Sequence, residues 1–128
     1  MKEVLVLGGG GFIGSNIVKF LVNRRDCNVT AADIKEGSNW NAISNDDMTC
    51  GRFKVVIADF TDISAFDNLS QSFDEIYMLA AIVGVNRTLK FPQDVIRTNT
   101  LLTMNTLDWI SRNPIKRLLF SSSSENYA

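Results

Sequence analysis

The sequence predicts an α/β fold in which about five parallel strands form one doubly wound sheet. Two observations support this prediction. Short apolar runs, typical of strands that are covered on both faces, alternate along the chain with segments whose apolar residues recur at helical spacing. A glycine-rich stretch, GGGGFIGS at residues 8–15, separates the first apolar run from the first helical segment. Strands that alternate with helices are joined by right-handed crossovers, so we expect the strand order 3-2-1-4-5.

Each predicted strand is a short apolar run bounded by polar or turn-forming residues. The first run, VLVL, is apolar throughout, as expected for a strand with helices on both faces of the sheet. The five predicted strands are residues 4–7, 28–33, 53–58, 75–81 and 116–121.

Two helices are predicted in the first half of the chain. The first begins at Phe12, directly after the glycines, because apolar residues then recur at helical spacing. A short second helix is predicted near residues 63–69, with Thr61 or Asp62 as its N-cap. Residues 34–51 are rich in Gly, Ser, Asn and Asp, and are predicted to form a long loop.

A longer helix is predicted to follow the fourth strand. Pro92 suits its first turn, where N–H groups have no partner within the helix and a missing donor costs nothing. The helical pattern continues to about Arg112, and Asn113 and Pro114 are expected to end it.

The composition of the chain narrows the classes of function. The 128 residues suit one domain, and 45% apolar with 21% charged residues is ordinary for a soluble protein. With a net charge of −1, no binding to nucleic acid or to membranes is expected. We see no signal peptide, so we expect a cytoplasmic protein in which Cys27 and Cys50 are thiols. The chain has no histidine, which excludes a histidine base and argues against a transition-metal site.

The glycine-rich stretch is predicted to bind the pyrophosphate of a dinucleotide. Backbone N–H groups at the start of a helix attract anions, and glycine lets a phosphate approach the backbone closely. Two registers fit the sequence: Gly9, Gly11 and Gly14 give G-x-G-x-x-G, whereas Gly8, Gly11 and Gly14 give G-x-x-G-x-x-G. We favour the second, because Leu7 is the last apolar residue of the strand and Gly8 should begin the turn. The alternative, a flexible surface turn, would not need the strand before it and the helix after it.

Asp33 is predicted to bind the ribose of the cofactor. It ends the second strand, and a carboxylate at this place can accept hydrogen bonds from both ribose hydroxyls of an adenosine. The same charge would repel a 2′-phosphate, so NAD is favoured over NADP, although Lys35 nearby weakens this preference slightly. The alternative is a solvated acid at the end of a strand.

The ends of the third and fourth strands are further candidates for cofactor contact. Asp59 and Phe60 are placed to border the adenine, and capping of the following helix is an alternative role for Asp59. Small and apolar residues end the fourth strand, where a cofactor would cross the sheet: Leu79, Ala80 and Ala81. They are also compatible with core packing alone.

Six stretches match the motifs of one family in order and at the expected spacing. They are GGGGFIGS at residues 8–15, Asp33, DFTD at 59–62, MLAA at 78–81, GVNRTLKFPQDVIRTNTLLT at 84–103 and SSSENYA at 122–128. The chain therefore resembles the amino-terminal part of an extended short-chain dehydrogenase/reductase of the nucleotide-sugar epimerase/dehydratase group. The resemblance implies that residues 1–128 form a Rossmann-type NAD-binding domain without the substrate domain.

The resemblance also implies a reaction and its residues. NAD would oxidise a hydroxyl of a nucleotide sugar to a ketone, and hydride usually returns after epimerisation, dehydration or decarboxylation. In this family the glycine loop, with its Phe-Ile pair, binds the cofactor together with a threonine on the long helix. The cofactor residues so implied are Gly8, Gly11, Phe12, Ile13, Gly14, Asp33, Asp59, Phe60, Leu79, Ala80, Ala81 and Thr98.

The substrate residues are implied by the resemblance alone. Ser123 stands where the family hydrogen-bonds the reacting sugar oxygen, and Glu125 stands where related enzymes place an acid/base carboxylate. Thr88 lies in a segment that can reach the substrate. Ser124 occupies a position at which 4,6-dehydratases usually have aspartate, which argues against that reaction. Strand-end and helix-cap roles are the alternatives for the serine run.

Three departures from the family pattern bear on activity. Met78 replaces a histidine and Leu102 replaces a glycine of the long helix. The family's catalytic Tyr-x-x-x-Lys does not occur in these 128 residues, since Tyr127 has no lysine after it. We therefore expect a truncated, inactive form of an enzyme whose full-length form is a homodimer. We also expect the 128-residue chain to self-associate, because the fifth strand would have an unpaired edge.

Two other functions remain open from the sequence. A naturally short, non-catalytic dinucleotide-binding module is favoured by the missing Tyr-x-x-x-Lys and disfavoured by the serine run. NADP-dependent reduction of another carbonyl is disfavoured by Asp33.

Overall fold

Five parallel strands form one sheet in the computed structural model, which describes residues 1–43, 45–69 and 72–123. The strands are β1 (Lys2–Leu7), β2 (Cys27–Asp33), β3 (Phe53–Ile57), β4 (Glu75–Met78) and β5 (Arg117–Phe120). Their order is β3-β2-β1-β4-β5, and every neighbouring pair is parallel. The predicted α/β class and strand order are confirmed, and the direction of winding changes between β1 and β4.

The centre of the sheet is β1, because its last four residues are apolar and buried on both faces. Val4 and Val6 point into one layer of the core, whereas Leu5 and Leu7 point into the other. All four are 1% exposed or less. Each fully buried side chain of this size contributes about 2 kcal/mol through the surface it removes from water. This continuous apolar run therefore fixes β1 between two covering layers.

Helices cover both faces of the sheet. The first layer contains α1 (Phe12–Arg24), which packs against β1 and β2. The second contains a 3₁₀ helix (Ile63–Asn68) and the long helix α4 (Pro92–Arg112), with Pro92 in its first turn as predicted. Thr61 or Asp62 was predicted to cap the 3₁₀ helix, and the N-cap is Asp62, whose carboxylate accepts the N–H of Ser64 at 2.9 Å.

Residues 34–51 were expected to be a loop, and the structure corrects this. A 3₁₀ helix (Ser38–Ala42) and a short helix α2 (Asn45–Thr49) lie within this segment. The segment is anchored by Trp40, which is 7% exposed and packs in the first layer of the core. Burial of this one large side chain outweighs the loop-forming character of the residues around it.

The fourth strand is shorter than predicted. It ends at Met78, the last residue that pairs with β5, instead of extending to Ala81. The N–H of Leu79 still donates to the carbonyl oxygen of Leu7 at 2.9 Å, and the chain then leaves the sheet towards α3 (Val85–Lys90). This helix was not predicted. Its six residues are all exposed, and the single apolar pair at helical spacing, Val85 and Leu89, is too short a pattern to predict a helix.

Across the described ranges 1–43, 45–69 and 72–123, no helix combines the length and hydropathy that a membrane span requires.

Candidate functional site

The glycine-rich loop joins β1 to α1, and its geometry admits no side chain at Gly8, Gly10 or Gly14. A Cβ on Gly10 would lie 2.6 Å from the carbonyl oxygen of Lys35. Gly8 directly follows β1 with a φ of +84°, and a Cβ there would lie 2.6 Å from the backbone nitrogen of Ala80. Gly14 lies in the first turn of α1, where a Cβ would lie 2.0 Å from the carbonyl oxygen of Gly8. The start of α1 therefore packs directly on the loop, and the loop packs directly on the segment after β4.

The start of α1 is open to an anion. Its N-cap residue is Gly11, which has no side chain to satisfy the first N–H groups of the helix. These donors and the helix dipole favour a negatively charged group. Gly11 borders a cavity, so that group can be part of a ligand bound there.

An open cavity of about 560 Å³ lies at the carboxyl ends of the strands. Its walls are the loops that follow β1, β2, β3 and β4, closed on one side by α3 and α4. The lining residues are Gly8, Gly11, Ala32, Asp33, Ile34, Lys35, Ala58, Asp59, Phe60, Thr61, Leu79, Ala80, Ala81, Ile82, Val83, Arg87, Thr98 and Leu102. Nine of the predicted cofactor residues thus border one space: Gly8, Gly11, Asp33, Asp59, Phe60, Leu79, Ala80, Ala81 and Thr98.

Asp33 ends β2 and is held in place by two backbone N–H groups. Gly10 donates to its Oδ2 at 2.8 Å, and Ile34 donates to its Oδ1 at 2.7 Å. A carboxylate has about four acceptor sites, so each oxygen can still accept another hydrogen bond from the cavity. The arrangement positions a fixed negative charge next to the glycine-rich loop.

The loop after β3 is shaped by Asp59. Its Oδ1 accepts hydrogen bonds from the N–H of Thr61 at 3.0 Å and from the hydroxyl of Thr61 at 2.7 Å. Helix capping, considered as an alternative role for Asp59, is instead performed by Asp62. Phe60 is buried and contacts the ring of Phe66 edge-to-face at 5.0 Å, so its ring is fixed by the core.

Two asparagines on α4 hold the cavity walls, and neither was predicted from the sequence. The side chain of Asn99 donates to the carbonyl oxygen of Ile82 at 3.1 Å and accepts the N–H of Ile82 at 2.7 Å. The side chain of Asn105 donates to the carbonyl oxygens of Phe60 and Thr61 at 3.1 and 2.8 Å. The sequence did contain a signal for them, because Asn99 and Asn105 lie three residues before and after the buried Leu102 and so share its face of the helix. Amides on a buried helix face need partners, which are often backbone groups.

The other predicted residues lie outside the lining of the cavity. Phe12 and Ile13 are 87% and 63% exposed in the first turn of α1. Thr88 is exposed on α3, where its hydroxyl donates to the carbonyl oxygen of Gly84 at 3.0 Å. Ser123 follows β5 and is exposed. Ser124 and Glu125 lie outside the described residues.

The two family departures that fall within described elements are accommodated by the core. Met78 is 4% exposed, and its sulfur lies 3.6 Å from the hydroxyl of Thr106. Leu102 is 8% exposed and packs in the second layer of the core. Arg87 is a cation on the cavity wall that was not predicted from the sequence, because it lies on the unpredicted helix α3.

Together, a doubly wound sheet, a glycine loop at its switch point and an acid at the end of β2 define a dinucleotide-binding α/β domain. The family model described as the NAD dependent epimerase/dehydratase family matches residues 4–128. The chain belongs to this family, as its sequence motifs predicted. NAD, the predicted cofactor, is the cofactor by which the family is defined.

Individual relatives agree with this assignment. The chain is 32% identical over 128 residues to a UDP-N-acetyl-alpha-D-glucosaminuronate decarboxylase of Bacillus cytotoxicus, covering 98% of this chain and 38% of the decarboxylase. It superposes on the UDP-Glc/GlcNAc 4-epimerase of Campylobacter jejuni with a TM-score of 0.84 at 26% identity, covering 100% of this chain and 39% of the epimerase. The structure of MoeE5 in complex with UDP-glucose and NAD gives a TM-score of 0.77 at 26% identity, covering 98% of this chain and 38% of MoeE5. The chain thus spans about two-fifths of the length of these relatives.

Proposed function

We propose that this chain is the NAD-binding part of an enzyme that acts on a nucleotide-linked sugar. The observation that carries the proposal is that the start of α1, at Gly11, and the carboxylate of Asp33 border one cavity. Membership in the epimerase/dehydratase family supports the class of reaction. Residues 1–128 then form a Rossmann-type domain, and sugar binding belongs largely to the length that relatives have in addition.

The fit between the cavity and a dinucleotide rests on two features. A side chain at Gly8 or Gly14 would clash with backbone atoms of Ala80 or Gly8, so the loop can pack this closely only with glycine at both positions. A glycine loop of this kind lets a pyrophosphate approach the backbone at the start of the helix. Asp33 keeps acceptor sites for the ribose hydroxyls, and its charge disfavours a 2′-phosphate. The glycine loop suits either dinucleotide, and the charge of Asp33 supports NAD over NADP.

The reaction itself needs residues from the carboxyl end of this chain. NAD, when bound, would accept a hydride from a sugar carbon and return it, so that the sugar passes through a keto form. We assign to Ser123 a hydrogen bond to the reacting sugar oxygen and to Glu125 the transfer of a proton. Thr88 and Ser124 are assigned to substrate contact.

We propose that the 128-residue chain alone does not turn over a nucleotide sugar. The sequence contains no Tyr-x-x-x-Lys, which supplies the base in enzymes of this kind. The same observation favours a second candidate function, a non-catalytic dinucleotide-binding module. The intact mass of the native protein in its source cells separates the two: a mass well above 14.2 kDa supports the enzyme, and a mass of 14.2 kDa supports the module.

Cofactor binding is tested by calorimetric titration of NAD and NADP into the wild type and two variants. Asp33→Asn removes the charge beside the glycine loop and should weaken NAD binding while narrowing the gap to NADP. Asp108→Asn makes the same chemical change on the exposed side of α4 and should leave both affinities unchanged. A wild type that binds no NAD, or that binds NADP equally well, would contradict the proposal.

We also propose that the 128-residue chain self-associates through β5. This strand pairs with β4 alone among the described strands, and Phe120 on it is 55% exposed. An unpaired edge that carries apolar side chains is a template for pairing with another chain. Light scattering should therefore show a mass that rises with concentration, and Phe120→Lys should reduce that rise. A concentration-independent monomer would contradict the proposal.

A further inference from the structure

Two side chains hold one peptide group of the glycine-rich loop, one at each end. They are Asp33, the last residue of β2, and Trp40, in the segment that follows β2. The indole Nε1–H of Trp40 donates to the carbonyl oxygen of Gly9 at 3.0 Å. The N–H of Gly10 donates to Oδ2 of Asp33 at 2.8 Å. The Gly9 carbonyl and the Gly10 N–H belong to the same planar peptide unit. Two side chains therefore fix the orientation of this single unit.

Trp40 is itself tightly held, so it can act as a fixed support. Its ring contacts Phe53 edge-to-face at 6.2 Å, and its backbone N–H donates to the carbonyl oxygen of Gly37 at 3.1 Å. A Cβ on Gly37 would lie 2.9 Å from the indole ring, so the turn before Trp40 packs against it without a gap. Trp40 therefore connects the glycine-rich loop to the first layer of the core.

The neighbouring residue fastens the same segment to α1. The side chain of Asn39 donates to the hydroxyl of Ser15 at 3.1 Å, in the first turn of the helix. Ser15 is 2% exposed, and its N–H donates to the carbonyl oxygen of Gly11 at 2.9 Å. The segment after β2 therefore contacts both the loop and the helix start that borders the cavity.

The need for such a support follows from the composition of the loop. Glycine has more backbone freedom than any other residue type, so ordering four consecutive glycines only when a ligand binds would cost affinity. A loop that is already ordered presents its N–H groups to an anion without this cost. The N–H groups of Gly8 and Gly9 donate to the carbonyl oxygen of Ala32 in β2. The two side-chain bonds add to this by fixing the next peptide unit, between Gly9 and Gly10.

We propose that Trp40 is a positioning residue for dinucleotide binding, which holds the Gly9–Gly10 peptide so that the loop is ordered before the pyrophosphate arrives. The proposal rests on the proposed binding of NAD in this cavity. Trp40 does not line the cavity, so it would affect the ligand only through the glycine-rich loop.

The experiment compares Trp40→Phe with Trp109→Phe. The first variant keeps an aromatic ring in the core but removes the N–H donor. The second is a matched control, because Trp109 is the only other tryptophan in the sequence and packs against Phe66 and Phe73 in the other layer of the core. The ligands are ADP-ribose, which carries the pyrophosphate, and adenosine, which has no phosphate. Calorimetry gives the dissociation constant of each ligand for each protein.

Trp40→Phe is expected to weaken ADP-ribose binding about tenfold, since one hydrogen bond to the loop is lost. Adenosine binding should change less than about twofold, and Trp109→Phe should leave both ligands unaffected. Unchanged ADP-ribose binding by Trp40→Phe would overturn the positioning role. Equal weakening of adenosine and ADP-ribose would also overturn it, because that result indicates a general loss of structure. A wild type that binds neither NAD nor ADP-ribose would overturn the proposed function as well.

A second measurement applies if Trp40→Phe does not fold. In Trp109→Phe the only tryptophan is Trp40, so its fluorescence reports the state of the support directly. Because the support is in place before the ligand binds, Trp40 should show the emission of a buried indole without ligand, and a saturating concentration of ADP-ribose should leave that emission nearly unchanged. An exposed-indole emission that becomes buried only when ADP-ribose is added would overturn the inference, because the loop would then be ordered by the ligand.

Discussion

The side chain of Asn99 and the backbone of Ile82 form a closed pair of hydrogen bonds. The Asn99 amide donates to the Ile82 carbonyl oxygen at 3.1 Å, and its oxygen accepts the Ile82 N–H at 2.7 Å. Ile82 lies where the chain has left β4, so no strand supplies partners for its backbone groups. An amide matches both groups at once, and α4 therefore fixes the wall of the cavity that follows β4.

Replacing Asn99 by leucine should destabilise the protein. The change removes both bonds and leaves a partly buried N–H and C=O without partners, at a cost of about 2 kcal/mol in the free energy of unfolding. NAD affinity should fall as well, because Ile82 borders the cavity. Urea denaturation and calorimetry measure the two effects. Thr100→Ala, an exposed change on the next residue of α4, is the control, and equal stability of the two variants would contradict the prediction.

Asn105 holds the opposite wall of the cavity in the same way, through hydrogen bonds from its side-chain amide to backbone groups. Its amide donates to the carbonyl oxygens of Phe60 and Thr61, in the loop after β3. Asn99 and Asn105 are six residues apart on one helix, and each holds a different loop of the cavity. The long helix α4 is thus a common scaffold for the walls on both sides of β1.

Much of the fold follows from local sequence signals. The buried part of the central strand is apolar at every residue from Val4 to Leu7, and such a continuous run is typical of a strand covered on both faces. The segment after β2 could not be predicted in this way. Its structure depends on Trp40, whose main polar contact is the carbonyl oxygen of Gly9, 31 positions earlier in the chain. Such a contact leaves no periodic trace in the local sequence.

Gly8 and Asp33 were predicted from their places after β1 and at the end of β2, and both border the cavity. Their contact with a cofactor stays a prediction. Asn99 and Asn105 were missed because the partners of their amides are backbone groups, which every residue has. Arg87 was missed because the exposed helix α3 gives no amphipathic signal.

Gly14 and Gly11 should respond differently to alanine. At Gly14 a Cβ would lie 2.0 Å from the carbonyl oxygen of Gly8, so Gly14→Ala must displace the loop and should cost about 3 kcal/mol in the free energy of unfolding. This loss would occur although alanine is the better helix former. At Gly11 the nearest atom would be 3.4 Å away, and Gly11→Ala should cost about 0.5–1 kcal/mol, mainly as a poorer N-cap.

Thermal and urea unfolding of both alanine variants test this difference in stability. Titration with NAD tests a further prediction, on affinity. Gly11→Ala should still fold but bind NAD more weakly, because its Cβ would project at the start of α1 beside the cavity. Equal destabilisation of the two variants would show that the close packing at Gly14 is not what holds the loop.

Asp74 should make stability depend on pH in the acid range. The ammonium of Lys116, 2.7 Å away, and then the N–H of Glu3 at 2.9 Å hold the pKa of this carboxyl below its ordinary value of 3.8. The unfolded chain therefore takes up the proton at a higher pH than the folded chain does. The resulting stabilisation is complete above about pH 3.8 and is lost as the pH falls through the lower pKa of the folded state.

The measurement for Asp74 is urea unfolding of the wild type and of Asp74→Asn at a series of pH values. The variant should be less stable at pH near neutral, and the difference should shrink in acid once the wild-type carboxyl is protonated. Asp108→Asn, on the exposed side of α4, is the control for a general effect of net charge. A difference between Asp74→Asn and the wild type that stays constant down to strong acid would contradict the assignment.

Replacing Thr30 by valine should stabilise the folded protein. It is 3% exposed on β2, beside Leu5 of β1, and its hydroxyl has no hydrogen-bond partner among the described residues. A buried hydroxyl without a partner costs desolvation energy, whereas valine has nearly the same shape and suits a strand. Thr30→Val should therefore raise the free energy of unfolding by about 1 kcal/mol.

Thr106→Val is the matched comparison for Thr30→Val. Thr106 is equally buried, but its hydroxyl donates to the carbonyl oxygen of Leu102 at 2.7 Å. Its replacement should give no gain, since it removes a bond that is already made. Urea denaturation of both variants decides the point through the sign of the difference. If Thr30→Val lowered stability as much as Thr106→Val, the Thr30 hydroxyl would have to be bonded in solution, and the core beside β1 would be less apolar than its packing indicates.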